Sequence, residues 1–202
     1  NSQTDDVQGT INLGKNGTIS FKENTATREG GAIYNDSASD SAIILGKTSF
    51  EANQANRGGA ISTKAGTITI GSNSLFQGNS TIAGDAEAAG GAIYITGTDT
   101  KIDLGSGSTF NGNTSFSNGG AIYIDNVGGG STFDLISSVV TANSASDSGG
   151  GIYNKGTLNI KDGTSFDNNV AAKNGGAIYN DATGVLNIEK NAKFGGKEGT
   201  AN

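Results

Sequence analysis

Apolar residues recur along the chain in short alternating bursts, each closed by glycine or asparagine. The clearest burst is a triplet with apolar ends and a usually polar middle: Ile11-Asn12-Leu13, Ile43-Ile44-Leu45, Ile68-Thr69-Ile70, Ile102-Asp103-Leu104, Phe133-Asp134-Leu135, Leu158-Asn159-Ile160 and Leu186-Asn187-Ile188. Alternation at period two marks a strand with one buried face, so each triplet predicts a short strand. A second burst, Phe-x-x-Asn, interleaves with the first at Phe21/Asn24, Phe50/Asn53, Phe76/Asn79, Phe110/Asn113 and Phe166/Asn169, with Val140/Asn143 in the remaining place. The third is Gly-Gly-Ala-Ile. It stands at Gly30-Gly31-Ala32-Ile33, Gly58 to Ile61, Gly90-Gly91-Ala92-Ile93, Gly119 to Ile122 and Gly175-Gly176-Ala177-Ile178, relaxed to Gly149-Gly150-Gly151-Ile152 in one unit.

Successive glycine motifs start 26 to 32 residues apart. A unit of that length with three short strands cannot bury its apolar face alone, but stacked coils of such units can. The pattern therefore predicts an all-β fold: a right-handed, single-stranded parallel β-helix (solenoid) with three short strands per rung and about six to seven rungs over residues 10–194. Residues 1–9 read as an N-terminal edge or cap, and 195–202 as a polar C-terminal edge truncated from a longer chain. The core should hold columns of Phe, motif Ile and triplet ends. Paired glycines suit a corner that needs positive φ or close backbone approach. The Asn should end its strand, bonding the turn backbone and its copies above and below.

Two departures from the repeat matter. The interval from Phe to the next glycine pair is eight or nine residues in every unit except after Phe76, where it is 14, so Ser80 to Ala89 reads as an inserted loop. Asp125 to Ser131 breaks the pattern similarly. Every one of the five Tyr follows a motif Ile directly, at Tyr34, Tyr94, Tyr123, Tyr153 and Tyr179, with Ser62 the exception. With Ile inward, these rings should form an outward surface ladder. Such a ladder either binds a glycan ring or partner surface, or shields the glycine-rich edge as a self-supporting aromatic stack.

Composition narrows the function. Only 33% of residues are hydrophobic and 34 are Gly, too lean for a conventional globule, yet the regular apolar columns argue against disorder. Net charge is -6, and no run of Lys or Arg offers phosphates a surface, so nucleic acid is not an expected partner. Without Cys or His the chain has no disulfide, thiol nucleophile or imidazole. We expect no catalytic residue, cofactor or metal site. The one enzymatic alternative is a polysaccharide-acting β-helix using Asp103 and Asp134, which sit in the outward middle of consecutive triplets. Asp36, Asp40, Asp85, Glu87 and Asp125 lack the dense alternation of a calcium loop. Gly128-Gly129-Gly130 is not followed by the Lys-Ser/Thr of a phosphate loop. A hydroxyl column at Thr48, Ser74, Ser108 and Thr164 suggests an ice-binding face, but Ile19, Ser138 and Ala192 interrupt it. Arg57 falls in register with Glu29 and predicts a surface ion pair.

The interleaved Gly-Gly-Ala-Ile and Phe-x-x-Asn motifs, spread over Gly30 to Phe194, resemble the repeats of chlamydial polymorphic membrane proteins and related bacterial surface proteins. The chlamydial members commonly contain Cys, which this chain lacks. The resemblance implies an autotransporter passenger, displayed at the cell surface or outer membrane or secreted. It implies a membrane link only through an anchor outside this segment, and adhesion to a host-cell surface protein or glycan receptor. It also implies that the motifs take part in adhesion: Gly30, Gly31, Ala32, Ile33, Phe50, Asn53, Gly90, Gly91, Ala92, Ile93, Phe110, Asn113, Phe166, Asn169, Gly175, Gly176, Ala177 and Ile178. The residues themselves leave open the plainer reading that these positions are scaffold. A third functional reading is a structural spacer or self-associating rod, because rung ends present unpaired strand edges.

Overall fold

The structure is a computed structural model and describes residues 10–13, 17–36, 42–84, 87–125 and 130–195. Among them every regular element is a strand of two to four residues, and equivalent strands of successive units pair in parallel. The result is an all-β parallel solenoid of about six turns.

The three motifs each build one ladder. Triplets stack in a seven-stranded sheet running from Thr10–Leu13 to Val185–Ile188, in register Ile11↔Ile43 and Ile43↔Ile68, and then Ile102, Phe133, Leu158 and Leu186. A second seven-stranded sheet, Ile19–Lys22 to Lys193–Gly195, carries the Phe column. A six-stranded sheet, Ile33–Asn35 to Ile178–Asn180, carries Ile and Tyr. Beside these runs a fourth ladder of two-residue strands, such as Gln54–Ala55 and Ser144–Ala145, directly after each Asn. Two residues are too few for alternation to register in the sequence. Gly195, assigned to the polar edge, pairs with Asp167 in the last strand. The predicted cap 1–9 and the rest of 195–202 lie outside the described residues.

The core consists of columns of like side chains. Phe21, Phe50, Phe76 and Phe110 stack with ring centroids 4.5 to 5.1 Å apart. In the next rung Val140 takes the Phe position, and the missing volume comes from the same coil. Phe133, where other triplets place Ile or Leu, turns its ring edge-on to Phe110 at 6.5 Å. Both Val140 and Phe133 are fully buried, so the small-for-large exchange is compensated within one rung.

The Asn column closes each Phe strand. Asn53, Asn79, Asn113, Asn143 and Asn169 are buried. Each sends one amide hydrogen back to the carbonyl at the Phe position of the previous rung, as from Asn79 to Phe50 at 2.9 Å. Along the column the other hydrogen and the backbone N–H go to the next Asn Oδ1, as from Asn79 to Asn113, both at 3.0 Å. The residue just before Asn is left-handed in every rung: Glu23, Ala52, Gly78, Gly112, Ala142 and Asn168 all have φ between 52° and 64°. At the glycine corner Gly90 has φ 66°, and a Cβ on Gly91 would collide with the Gly120 carbonyl of the next rung. Here glycine is required by both conformation and space.

The hydroxyl column turns inward rather than forming a flat outer face. Thr48, Ser74, Ser108 and Thr164 are buried, and Thr48, Ser74 and Ser108 donate to the turn carbonyls of Gly46, Gly71 and Gly105 at 2.7 to 2.9 Å. The ice-binding reading is thereby corrected, because a turn that reverses the chain leaves buried carbonyls which these hydroxyls satisfy.

Candidate functional site

Alternation in the Ile-Tyr strands puts Ile into the core and Tyr on the outer side. Parallel register brings the rings together: Tyr94–Tyr123, Tyr123–Tyr153 and Tyr153–Tyr179 lie 5.4, 4.9 and 4.8 Å apart. The expectation of an exposed stripe is corrected at its centre. Tyr94 and Tyr123 are only 9% and 8% exposed, forming a small apolar cluster with Ala89 and a partly buried Tyr153. Stacking covers Tyr123 on both faces and Tyr94 on one, and cations add to the cover: the Arg57 guanidinium lies 5.8 Å from the Tyr94 ring, and Lys155 Nζ 5.8 Å from both Tyr123 and Tyr153. Only Tyr34, at the edge of the stack, is largely open, at 41% exposure.

Two residues beyond the Tyr position runs a second column: Asp36, Lys64, Thr96, Asp125, Lys155 and Asp181. The rings lean on it. Tyr34 Oη donates to Asp36 at 2.8 Å, Tyr94 Oη to Asp125 at 3.3 Å and Tyr153 Oη to Asp181 at 3.0 Å. Lys64 lies 3.6 Å from Asp36. Burial raises the Tyr94, Tyr123 and Tyr153 hydroxyls well above the usual tyrosine range, with the neighbouring carboxylates Asp125 and Asp181 adding to it. Near-alternation of Asp and Lys was visible in the sequence once Tyr was taken as the reference point, but without the fold nothing singles out that offset.

Ser62 is where the ring column lapses. It is fully buried and donates to Glu29 Oε2 at 2.7 Å, while Glu29 Oε1 accepts from Arg57 at 2.8 Å. Arg57 also pairs with Glu87. Glu29 and Arg57 are in register across neighbouring rungs, as predicted, but their side chains are only 10% and 24% exposed, so the pair packs into the space the ring leaves. Two open clefts flank it. One, about 360 Å³, is lined by Ala26, Thr27, Arg28, Glu29, Tyr34 and Lys64. The other, about 260 Å³, lies among Arg57, Glu87, Ala88, Ala89, Tyr94, Ser117, Asn118 and Tyr123. The inserted loop therefore returns onto the tyrosine face through Glu87, Ala88 and Ala89.

The motif residues sit elsewhere. Phe50, Asn53, Ala92, Ile93, Phe110, Asn113, Phe166 and Asn169 are buried, as are Gly30, Gly90 and Gly91. Near the chain ends Gly31, Ala32, Ile33, Gly175, Gly176, Ala177 and Ile178 are half-buried core positions. The buried members of these motifs hold the rungs in register, and their side chains face the interior rather than solvent.

Asp103 and Asp134 are each engaged. Asp103 pairs with Lys101 at 2.6 Å, and Asp134 accepts from Lys161 at 2.8 Å and Asn159 at 2.6 Å. Burial pushes the Asp134 carboxyl up, but the bonds from Lys161 and Asn159 outweigh it and hold it below the usual carboxylate range. Asp36 and Asp125 serve the tyrosine column. Asp40, Asp85, Gly128 and Gly129 lie outside the described residues.

A solenoid whose rungs are held by buried Phe and Asn columns, with one tyrosine-and-charge face, defines a class of repeat rod. Comparison with known proteins places the repeat more closely. Residues 18–36, 47–64, 107–125 and 163–181 match the Chlamydia polymorphic membrane protein repeat. Over 127 residues, 55% of the chain, it is 35% identical to "Probable outer membrane protein pmp6" of Chlamydia pneumoniae. Over 185 residues, 85% of the chain, it is 32% identical to "Probable outer membrane protein pmp7" of the same organism. The matched regions amount to 10% and 19% of those relatives, so the chain spans a small part of their length. No solved structure matches it. Four stretches of the chain thus carry the polymorphic membrane protein repeat.

Proposed function

We propose that this chain is part of a surface-displayed adhesin, an autotransporter passenger rod whose tyrosine face contacts a host-cell surface protein or glycan receptor without chemistry of its own. The observation that carries the reading is the concentration of irregular features on one face. The lapse at Ser62, the two open clefts, the only two Arg residues of the chain and the return of the inserted loop all fall beside the tyrosine column. Clefts of about 280 and 270 Å³ also lie beside Asp103 and Asp134 and around Val170 and Lys173, but no aromatic ring lines either. Recognition usually resides where loops and side chains depart from a rigid scaffold. The relatives' description as outer membrane proteins supports display at the surface.

Beads coated with the chain should attach to cultured epithelial cells above beads carrying an unrelated acidic β-helix. Replacing residues 82–89 with the short turn of a neighbouring rung should reduce that attachment at least several-fold. No attachment by the unaltered chain would remove the adhesive reading and leave the rod as a spacer.

A further inference from the structure

We propose that the cleft beside Tyr34 is a binding site for an acidic sugar, a pyranose carrying a carboxylate. The inference rests on the adhesive reading and gives it a ligand class. In the centre of the column each ring is covered by the next at 4.8 to 5.4 Å. The rung after Tyr34 supplies Ser62 instead, so the next ring, Tyr94, is two rungs away, about 9 to 10 Å. That interval is one flat ring wider than a stack needs. Arg57 fills that interval on the Tyr94 side, and on the Tyr34 side it is closed by Lys64, whose Nζ lies 5.3 Å from the ring centroid on a side chain that is 41% exposed. This flexible cation can swing aside without disturbing the core, leaving an open aromatic face.

The charges around that face select the ligand. Arg28 is exposed and makes no side-chain hydrogen bond or ion pair among the described residues, and Lys64 meets Asp36 only at 3.6 Å. Glu29, by contrast, is already neutralised by Arg57. An otherwise acidic chain thus offers, beside the ring, Arg28 without an ion pair among the described residues and Lys64 held only by exposed contacts with Asp36 and the Tyr34 ring. A pyranose stacks its flat C–H face on Tyr34 and places its carboxylate between Arg28 and Lys64, where a guanidinium gives charge-assisted hydrogen bonds. Thr27 supplies a hydroxyl at the rim. A neutral sugar would leave the cations unused. An extended peptide gains no strand to pair with, because on this face the backbone is already bonded from rung to rung, as in Ala32 N–H to Ala60 O and Ala60 N–H to Ala92 O, both 2.9 Å.

The test is an NMR titration of the isotope-labelled chain with three probes: 3′-sialyllactose, a hyaluronan tetrasaccharide and lactose. The expected result is that at least one acidic sugar shifts the amide signals of residues 28–36 and 62–64 with a Kd of about 1 mM. Lactose should leave them unmoved, and Arg28→Gln and Tyr34→Ala should each weaken the effect about tenfold. Both side chains are exposed, so the variants retain the dispersed spectrum of the parent. No shift with either acidic sugar, equal shifts with lactose, or unaltered binding by both variants would overturn the proposal. So would binding of an acidic Glu-Tyr peptide at these residues while both sugars fail, which would point to a protein receptor. Because the titration involves no cells, its failure is distinct from a failure of bead attachment.

Discussion

Asn113 sends one amide hydrogen to Phe76 O at 3.0 Å and the other to Asn143 Oδ1 at 2.9 Å, while its own oxygen accepts twice from Asn79, at 3.0 Å each. Removing that side chain takes a partner from the Asn79 N–H, from one hydrogen of the Asn79 amide and from the Phe76 carbonyl in a dry interior, each at about 1–3 kcal/mol. Asn113→Ala should therefore lower unfolding stability by about 3 kcal/mol or more. Asn113→Asp keeps the acceptor but cannot donate to Phe76, and it should also destabilise. Urea unfolding followed by circular dichroism measures both, and a loss under about 1 kcal/mol for Ala would mean that water repairs the ladder. The role of this residue was legible from its position after Phe. The strain beside it was not: Ala52 and Ala142 hold φ of 52° and 54°, yet at that place only Gly78, Gly112 and Asn168 announce a left-handed turn. The other rungs carry residues with no conformational signature, and the stacked neighbours impose the geometry.

Among the elements, the tyrosine column shows what alternation can and cannot reveal. It told which side of the strand Tyr34, Tyr94, Tyr123, Tyr153 and Tyr179 occupy, since that depends on neighbours in sequence. It could not tell what covers them, because Arg57, Lys155 and Ala89 arrive from other rungs and from the end of an inserted loop. The burial has a titration consequence. A tyrosine whose folded pKa is raised contributes stability that is fully present below the unfolded value, near 10, and lost as pH rises beyond it. Phenolate absorbance should therefore show Tyr94, Tyr123 and Tyr153 still protonated at a pH where free tyrosine is mostly ionised, appearing only as the rod unfolds. Tyr94→Phe should remove one late-ionising group and preserve the stack. If all five tyrosines titrated together near pH 10, the central rings would have to be solvated. The carboxylates run the opposite way: Asp134, held below its usual range, contributes stability above about pH 4 that is lost on acidification.

At the scale of the molecule, each rung touches only the rungs before and after it. This locality explains why the chain tolerates the insertion after Phe76 and the exchange of Phe for Val140, since a change in one coil is settled against two neighbours. It also explains why the motif periodicity alone revealed the architecture while the face that departs from it needed coordinates. The same arrangement governs how the rod carries load. Its strands lie across the long axis, so a tug along that axis stretches the inter-rung bonds coil after coil, in series. Each coil that peels away frees about 28 residues, a tether of roughly 90 Å in place of the ~4.8 Å it occupied. Held between two optical traps, the chain should lengthen in several such increments; one rip of the whole chain would show that the coils yield together. A rod of this kind dissipates a sudden pull like a reel giving slack, one coil at a time.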